Sequence, residues 1–459
     1  MSGTPTIPSN EAQPDKSKLR RAITGSAIGN ATEWFDYGAY AYVIDQITDN
    51  FFPDAGYVGT ALVFAISFIM RPLGGLFWGP LGDRIGRQRV LALTIVLMSG
   101  ATFLVGCLPT YHDIGIWAIV LLVMLRLIQG FSAGGEYGGA ATYMAECAPD
   151  NRRGFLGSFL EFGTITGFTL AIAVVFTTNT IIGDAAMTEW GWRIPFLLGG
   201  PIGLIGLYIR TKLEETPVFQ ELEAKDAVES GAGTALKDLL ALFWRPILVL
   251  IGMVAALNIA NYTLLAYMPT YLTGESGFSS TQADLLVLFG QIAMLAFLPV
   301  AGALSDRVGR KPMWGASFTG LIVLAVPMFL LMSQGFWQGV VGFSVLGIVY
   351  VAQLATITAT FPAMFPAQVR YGGMAIGYNV STAAFGGTSL YVNDALIRTT
   401  GNSLMPAFYM MAASAVGLIA LLFVIETAGK SIRGTQVPGT PESERELAQL
   451  SGEQGPKTT

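Results

Sequence analysis

The chain has 459 residues, of which 52% are hydrophobic and only 12% charged, with 55 glycines and a formal net charge of −5 at pH 7. Soluble globular domains carry about 25% charge and roughly 7% glycine. The composition therefore excludes a disordered chain, a basic nucleic-acid-binding protein and an ordinary soluble enzyme, and leaves a polytopic membrane protein with small residues at its helix contacts.

In chain order, residues 1–20 are a polar tail rich in Pro, Ser and Thr, with no early apolar core, so a cleaved signal peptide is not expected. One membrane-crossing helix needs about 20 apolar residues. Apolar stretches at 21–45, 57–80, 90–108, 115–146, 154–178 and 192–211 supply spans 1 to 6, a first half covering 21–211. Residues 212–241 form a polar segment with seven acidic residues against three lysines. Stretches at 243–272, 280–303, 313–333, 337–362, 371–399 and 405–426 supply spans 7 to 12, a second half covering 242–426. The tail, 427–459, is polar; only PESERELAQL (441–450) could form a brief helix, and no heptad is sustained, so no coiled coil is expected. The predicted fold class is all-α, with twelve transmembrane helices in two six-helix halves.

Basic residues set the orientation. With both termini in the cytoplasm, all but four of the 26 Lys and Arg fall in the tails or on cytoplasmic loops. Arg193 and Arg398 lie outside; Arg71 and Arg126 lie within spans, Arg71 toward the inner face. The chain also repeats itself. LGDRIGRQR (81–89) recurs as LSDRVGRKP (304–312), and APDNRRG (148–154) is echoed by FPAQVRY (365–371), an offset of 217 residues. Two halves related by a parallel repeat are a transporter architecture.

Charges deep in a span are functional candidates, because each costs at least ~2.5–3.5 kcal/mol to bury there. At 1.5 Å rise per residue, Glu33 and Asp36 of span 1 and Arg126 of span 4 reach similar mid-membrane depth. They read as one buried network for proton coupling, since two carboxylates near one cation can share a proton; a static ion pair locking the helices is the alternative. Glu136, in the glycine-rich run GGEYGG, is a second proton site or gate, or else a packing hydrogen bond. Glu161 of span 5 reads as structural. The offset of 217 maps Glu136 onto Gln353 and Glu161 onto Tyr378, so the second half offers neutral groups where the first has acids. Two cysteines, Cys107 and Cys147, make no disulfide scaffold, and the lone His112 excludes a histidine metal cluster and a Ser–His pair. No nucleotide-binding loop is present. Enzyme, metal, cofactor and nucleic-acid roles are therefore not expected.

The string GPLGDRIGRQR (79–89), its recurrence GALSDRVGRKP (302–312) and RLIQGFSAGGEYGGA (126–140) resemble the signature motifs of the major facilitator superfamily, in its metabolite:proton symporter branch. GNATEWFDYGAYAY (29–42), RPLGGLFWG (71–79), WGWRIPF (190–196) and LEETPVFQ (213–220) are most similar to the osmolyte:proton symporters of that branch. The resemblance implies proton-coupled import by alternating access in a bacterial inner membrane, powered by the proton gradient, with a monomeric functional unit. It implies that Asp83 and Arg87 bond Glu146, that Asp306 and Arg310 do likewise in the second half, and that these five govern conformational switching.

A zwitterion such as proline or glycine betaine suits the remaining residues. A quaternary ammonium has no N–H donor and is held by ring faces and a carboxylate. Span 1 offers Trp34, Tyr37 and Tyr40 around Glu33, and span 7 offers Asn258, Asn261 and Tyr262; Gln353 adds an amide. The substrate's carboxylate would seek Arg126 or polar donors. Acids outnumber arginines at depth, which disfavours a polyanion. A carboxylate symporter of the 2-oxoglutarate, citrate or shikimate type, and a transporter-fold membrane sensor, are the alternatives.

Overall fold

The structure, a computed structural model, describes residues 16–85, 87–211, 232–366, 369–432 and 436–445. Helices dominate, and the described residues contain no strand. Seven helical runs are long and apolar enough to cross a membrane, and three shorter helices are comparably apolar. Spans 1 and 11 complete the twelve; the first carries buried acids and the second is broken by polar residues.

Span 1 is Lys16–Tyr42, followed by the short helix Ile44–Phe51. Span 2 is Gly56–Ile85 and span 3 Arg87–Cys107. Span 4 is built from two helices, Ile116–Ala133 and Glu136–Cys147. Span 5 is Arg153–Ala186 and span 6 Arg193–Thr211. Span 7 runs through Ala232–Asn261, a π-helical turn at Tyr262–Tyr267 and Met268–Gly274. Span 8 is Ser280–Val308 and span 9 Arg310–Met332. Span 10 joins Phe336–Leu354 to Ile357–Thr360. Span 11 joins Arg370–Ser381, through a π turn at Thr382–Gly386, to Ser389–Thr400, and span 12 is Met405–Leu421.

Three of these departures from the apolar stretches have local causes. Span 5 continues past residue 178 because Asn179 stays helical and donates to Asp184 at 2.9 Å. Span 7 starts inside the polar central segment, at Ala232, and bends at Phe243 (φ −116°, ψ 18°) just before Pro246. Span 4 is interrupted at Gly134 and Gly135, where a second helix crosses closely: a β-carbon on Gly134 would lie 2.0 Å from the carbonyl oxygen of Arg71. Only glycine permits that contact between spans 2 and 4, and it draws Arg71 into the first half's core.

Span 5 packs on span 1 within its own half and on span 8 of the other; span 2 packs on span 11. These crossings form the seam between halves. Large apolar side chains such as Leu62, Ile69 and Leu73 of span 2 face outward, as a lipid-facing surface requires.

Candidate substrate and proton site

Span 1 carries the acids. Glu33 and Asp36 are three residues apart, about 60° short of a full turn, so they address different neighbours. Glu33 Oε1 accepts from Arg71 Nη2 at 2.6 Å, and both side chains are fully buried. Arg71 also donates to the Tyr37 hydroxyl at 3.3 Å, and its guanidinium lies 4.9 Å from the Tyr37 ring centre and 5.0 Å from that of Phe68. Asp36 instead faces spans 3 and 4. Its Oδ1 accepts from Thr102 at 2.8 Å and from Gln129 at 2.7 Å, while Arg126 Nη1 approaches Oδ2 only to 3.5 Å. Arg126 is held by Gln129 Oε1 at 2.9 Å and covers the Tyr40 ring at 4.3 Å.

The expected network of Glu33, Asp36 and Arg126 is thus two pairs, and the cation of Glu33 is Arg71. Depth along the sequence puts Arg71 toward the inner face because the apolar stretch of span 2 stops at residue 80. The helix runs on to Ile85, which leaves Arg71 at its middle.

A narrow cavity of about 10 Å³ lies at the seam, with Trp34 and Glu161 on the first-half wall and Asn258, Asn261, Tyr350 and Tyr378 on the second. That is room for about one water, so a solute enters this site only as its walls move apart. The wall is anchored: Trp34 Nε1 donates to Asn30 at 3.1 Å, the Tyr350 hydroxyl to Asn261 Oδ1 at 2.7 Å, and Asn258 to Thr382 at 3.0 Å. Glu161 Oε1 accepts from the Tyr137 hydroxyl at 2.5 Å and Oε2 from Thr164 at 2.9 Å. Tyr137 in turn stacks on Tyr378, ring centres 4.3 Å apart.

Of the residues the sequence singles out for substrate, Trp34, Asn258 and Asn261 line this cavity. Tyr262 packs just behind, edge-on to Phe68 at 5.3 Å and 6.1 Å from Trp34. Tyr37 belongs to the Arg71 pair. Tyr40 and Arg126 do not line the cavity: Tyr40 lies two turns after Glu33, on the stripe facing span 2, and its hydroxyl donates to the Thr60 carbonyl at 3.1 Å. Gln353 is fully buried, and neither amide atom has a hydrogen-bond partner among the described residues. Glu136 is buried at the start of the second helix of span 4, next to Tyr137. Two residues on or near the wall escape the sequence reading. Glu161 reads there as structural, although the repeat pairs it with Tyr378 and the two face the same space. Arg71 is hidden by its apparent depth.

At the end of the bundle that bears the signature loops, the halves are tied together. Asp306 accepts from the backbone N–H groups of Gly154 and Phe155, each at 2.8 Å, so an acid of the second half caps span 5 of the first. Arg310 braces it at 2.7 Å. Glu426 caps span 9 through the N–H groups of Arg310 and Lys311, each at 2.9 Å. Glu146 is paired with Arg370 of the other half, 2.9 Å. Its expected partners Asp83 and Arg87 have side chains outside the described part of the structure.

Arg153 and Arg370, 217 residues apart, play the same part in each half. Arg153 Nε donates to the Ala145 carbonyl and Arg370 Nε to that of Pro362, residues separated by the same offset. Both also hold the tail, Arg153 through the Lys430 carbonyl and Arg370 through that of Ile432. Ile432 is buried against Ala145 and Ala363, one from each half. Residues 441–445 of the tail are helical; the remainder of PESERELAQL lies outside the described residues.

The profile of the Major Facilitator Superfamily matches residues 26–390 and again 250–454. The glycine betaine/proline/ectoine/pipecolic acid transporter OusA of Dickeya dadantii is 41% identical over 445 residues, 94% of this chain and 88% of that one. The proline/betaine transporter of Escherichia coli K12 is 42% identical over 92% of this chain and 86% of its own. The ectoine/proline transporter ProP of Corynebacterium glutamicum is 41% identical over 91% and 86%. Among solved structures, the proton:xylose symporter XylE matches with a TM-score of 0.71 at 19% identity, covering 95% of this chain and 99% of that one.

Proposed function

The chain belongs to the major facilitator superfamily, and from that premise we propose that it imports a small zwitterionic osmolyte, such as proline or glycine betaine, together with protons. It is a membrane transporter and not an enzyme. The relatives named for betaine, proline and ectoine support the substrate class. The observation that carries the coupling is the pair of buried ion pairs, Glu33–Arg71 and Asp36–Arg126, inside the half that also forms one wall of the cavity.

Asp36 is the better proton acceptor of the two acids. Its contact to Arg126 is long, and its short bonds come from neutral donors, Thr102 and Gln129. A proton on Asp36 removes its charge and leaves Arg126 to the bonds it already makes with Gln129 and Ser67, so spans 1, 3 and 4 change their fit without exposing an ion to lipid. Glu33–Arg71 stays paired and transmits the change to Trp34, whose ring lies 5.8 Å from the Arg71 guanidinium. The halves then rock about the cavity, opening it to either side in turn. The protein lies in the bacterial inner membrane with both termini in the cytoplasm and works as a monomer. The proton gradient supplies the energy, and no nucleotide, metal or organic cofactor enters the cycle.

The test is uptake by the purified protein in liposomes under an inward proton gradient. Labelled glycine betaine or proline accumulates, unlabelled betaine competes, and excess 2-oxoglutarate does not. Accumulation of 2-oxoglutarate with no competition by betaine overturns the proposal.

A further inference from the structure

Four acids lie buried in the first half, Glu33, Asp36, Glu136 and Glu161, and three of them differ in what neutralises them. Glu33 has Arg71 and Asp36 has Arg126. Glu161 has two hydroxyls, Tyr137 and Thr164, and makes no ion pair among the described residues. Its side chain is buried, yet it forms part of the cavity wall. A carboxylate withdrawn from water without a cation is costly, and the cost falls when a cation arrives.

The surroundings fit one kind of cation. Trp34, Tyr350 and Tyr378 line the same space, and aromatic rings attract an organic cation whether or not it has N–H groups to donate. The carboxylate is also fixed in direction. Thr164, which donates to Glu161, itself accepts from Asn30 Nδ2 at 2.7 Å, and Asn30 Oδ1 holds the Trp34 indole. One chain of hydrogen bonds, Trp34 to Asn30 to Thr164 to Glu161, therefore sets both the ring and the acid. The repeat explains why there is one acid and not two: the equivalent of Glu161 is Tyr378, so a ring replaces the second carboxylate and one positive charge balances the site.

We infer that Glu161 is the specificity-determining residue for the substrate's cationic pole, receiving a quaternary or secondary ammonium against Trp34, Tyr350 and Tyr378. The inference rests on the osmolyte reading above. It assigns Glu161 to binding and leaves proton transfer to Asp36. A dicarboxylate meets repulsion here, whereas betaine and proline each bring one ammonium.

The experiment is substrate exchange in liposomes with no pH gradient, which reads binding apart from proton-driven accumulation. Glu161→Gln keeps the shape of the side chain and one accepting oxygen and removes its charge. Its exchange KM for glycine betaine is expected to rise roughly 10- to 100-fold, the loss of one charge-assisted contact. Glu161→Asp, which keeps the charge, is expected to recover most of that loss. A thermal melt of each variant checks folding; should Glu161→Gln not fold, Tyr378→Leu removes a ring and raises the same KM several-fold. An unchanged KM in Glu161→Gln, with gradient-driven accumulation lost, makes Glu161 a proton site and overturns the inference. An unchanged KM in Tyr378→Leu overturns it as well. Wild-type protein that exchanges neither betaine nor proline overturns the osmolyte reading itself, and this inference with it.

Discussion

Arg71 and Arg126 are tolerable in the interior of the first half only because a carboxylate of span 1 faces each of them. Removing one partner of a buried pair strands the other, at a cost of about 3–5 kcal/mol. Glu33→Gln is therefore expected to lower the melting temperature of the purified protein sharply, because among the described residues Arg71 then keeps only the Tyr37 hydroxyl and its ring contacts. The double change Glu33→Gln with Arg71→Gln is expected to restore most of that stability; no recovery would show that the pair is not what holds these residues. Asp36→Asn is expected to be milder, since Thr102 and Gln129 can still bond the amide. The two acids were legible in the sequence as rare charges at mid-span depth. Arg126, which faces Asp36, was legible with them, but Arg71, the partner of Glu33, was not, because depth ranks residues along the membrane normal but says nothing of which side of a helix they face. Three residues of helix turn Glu33 and Asp36 toward different spans, and no single-chain pattern reveals which span waits there.

Spans owe their contacts to small residues and their shape to interruptions. Gly134 sits against the Arg71 carbonyl, so Gly134→Leu is expected to force spans 2 and 4 apart, with a loss of folded protein in size-exclusion profiles and a penalty above the ~1–3 kcal/mol of ordinary overpacking. Wild-type yield and melting temperature in that variant would contradict the contact. The π turns at Tyr262–Tyr267 and Thr382–Gly386 lie in spans 7 and 11, and the Asn258–Thr382 bond ties these spans on the cavity wall. Such turns concentrate at functional sites. Apolar stretches located the spans well because hydropathy is an average over many residues. They missed the π turns and the break in span 4, because those depend on which neighbour presses on the helix. They also cut span 2 short, and that error hid Arg71.

The molecule as a whole is held shut at the end that bears its signature loops. Asp306 crosses to span 5, Arg370 crosses to Glu146, and the tail is gripped by the repeat-related Arg153 and Arg370. The sequence repeat made the two-half plan legible, and the shared offset of 217 between the arginines and their carbonyl partners is its structural imprint. The tail's place between them was not legible, since its contacts run through backbone carbonyls that carry no residue signature. The protein has two thiols, so a Cys107→Ser background leaves Cys147, beside Glu146, as the sole reporter. Adding Asp306→Asn and Arg370→Gln is expected to speed maleimide labelling of Cys147 by roughly tenfold, as closure weakens by about 1.4 kcal/mol; an unchanged rate would contradict the seal. The central claim is that proton binding in the first half and osmolyte passage through the cavity between the halves are coupled. It is tested most directly by following external pH as glycine betaine is added to proteoliposomes. The account predicts that the medium turns alkaline with wild-type protein, and that Asp36→Asn exchanges betaine with no proton movement. Betaine uptake by wild-type protein at constant external pH would contradict it.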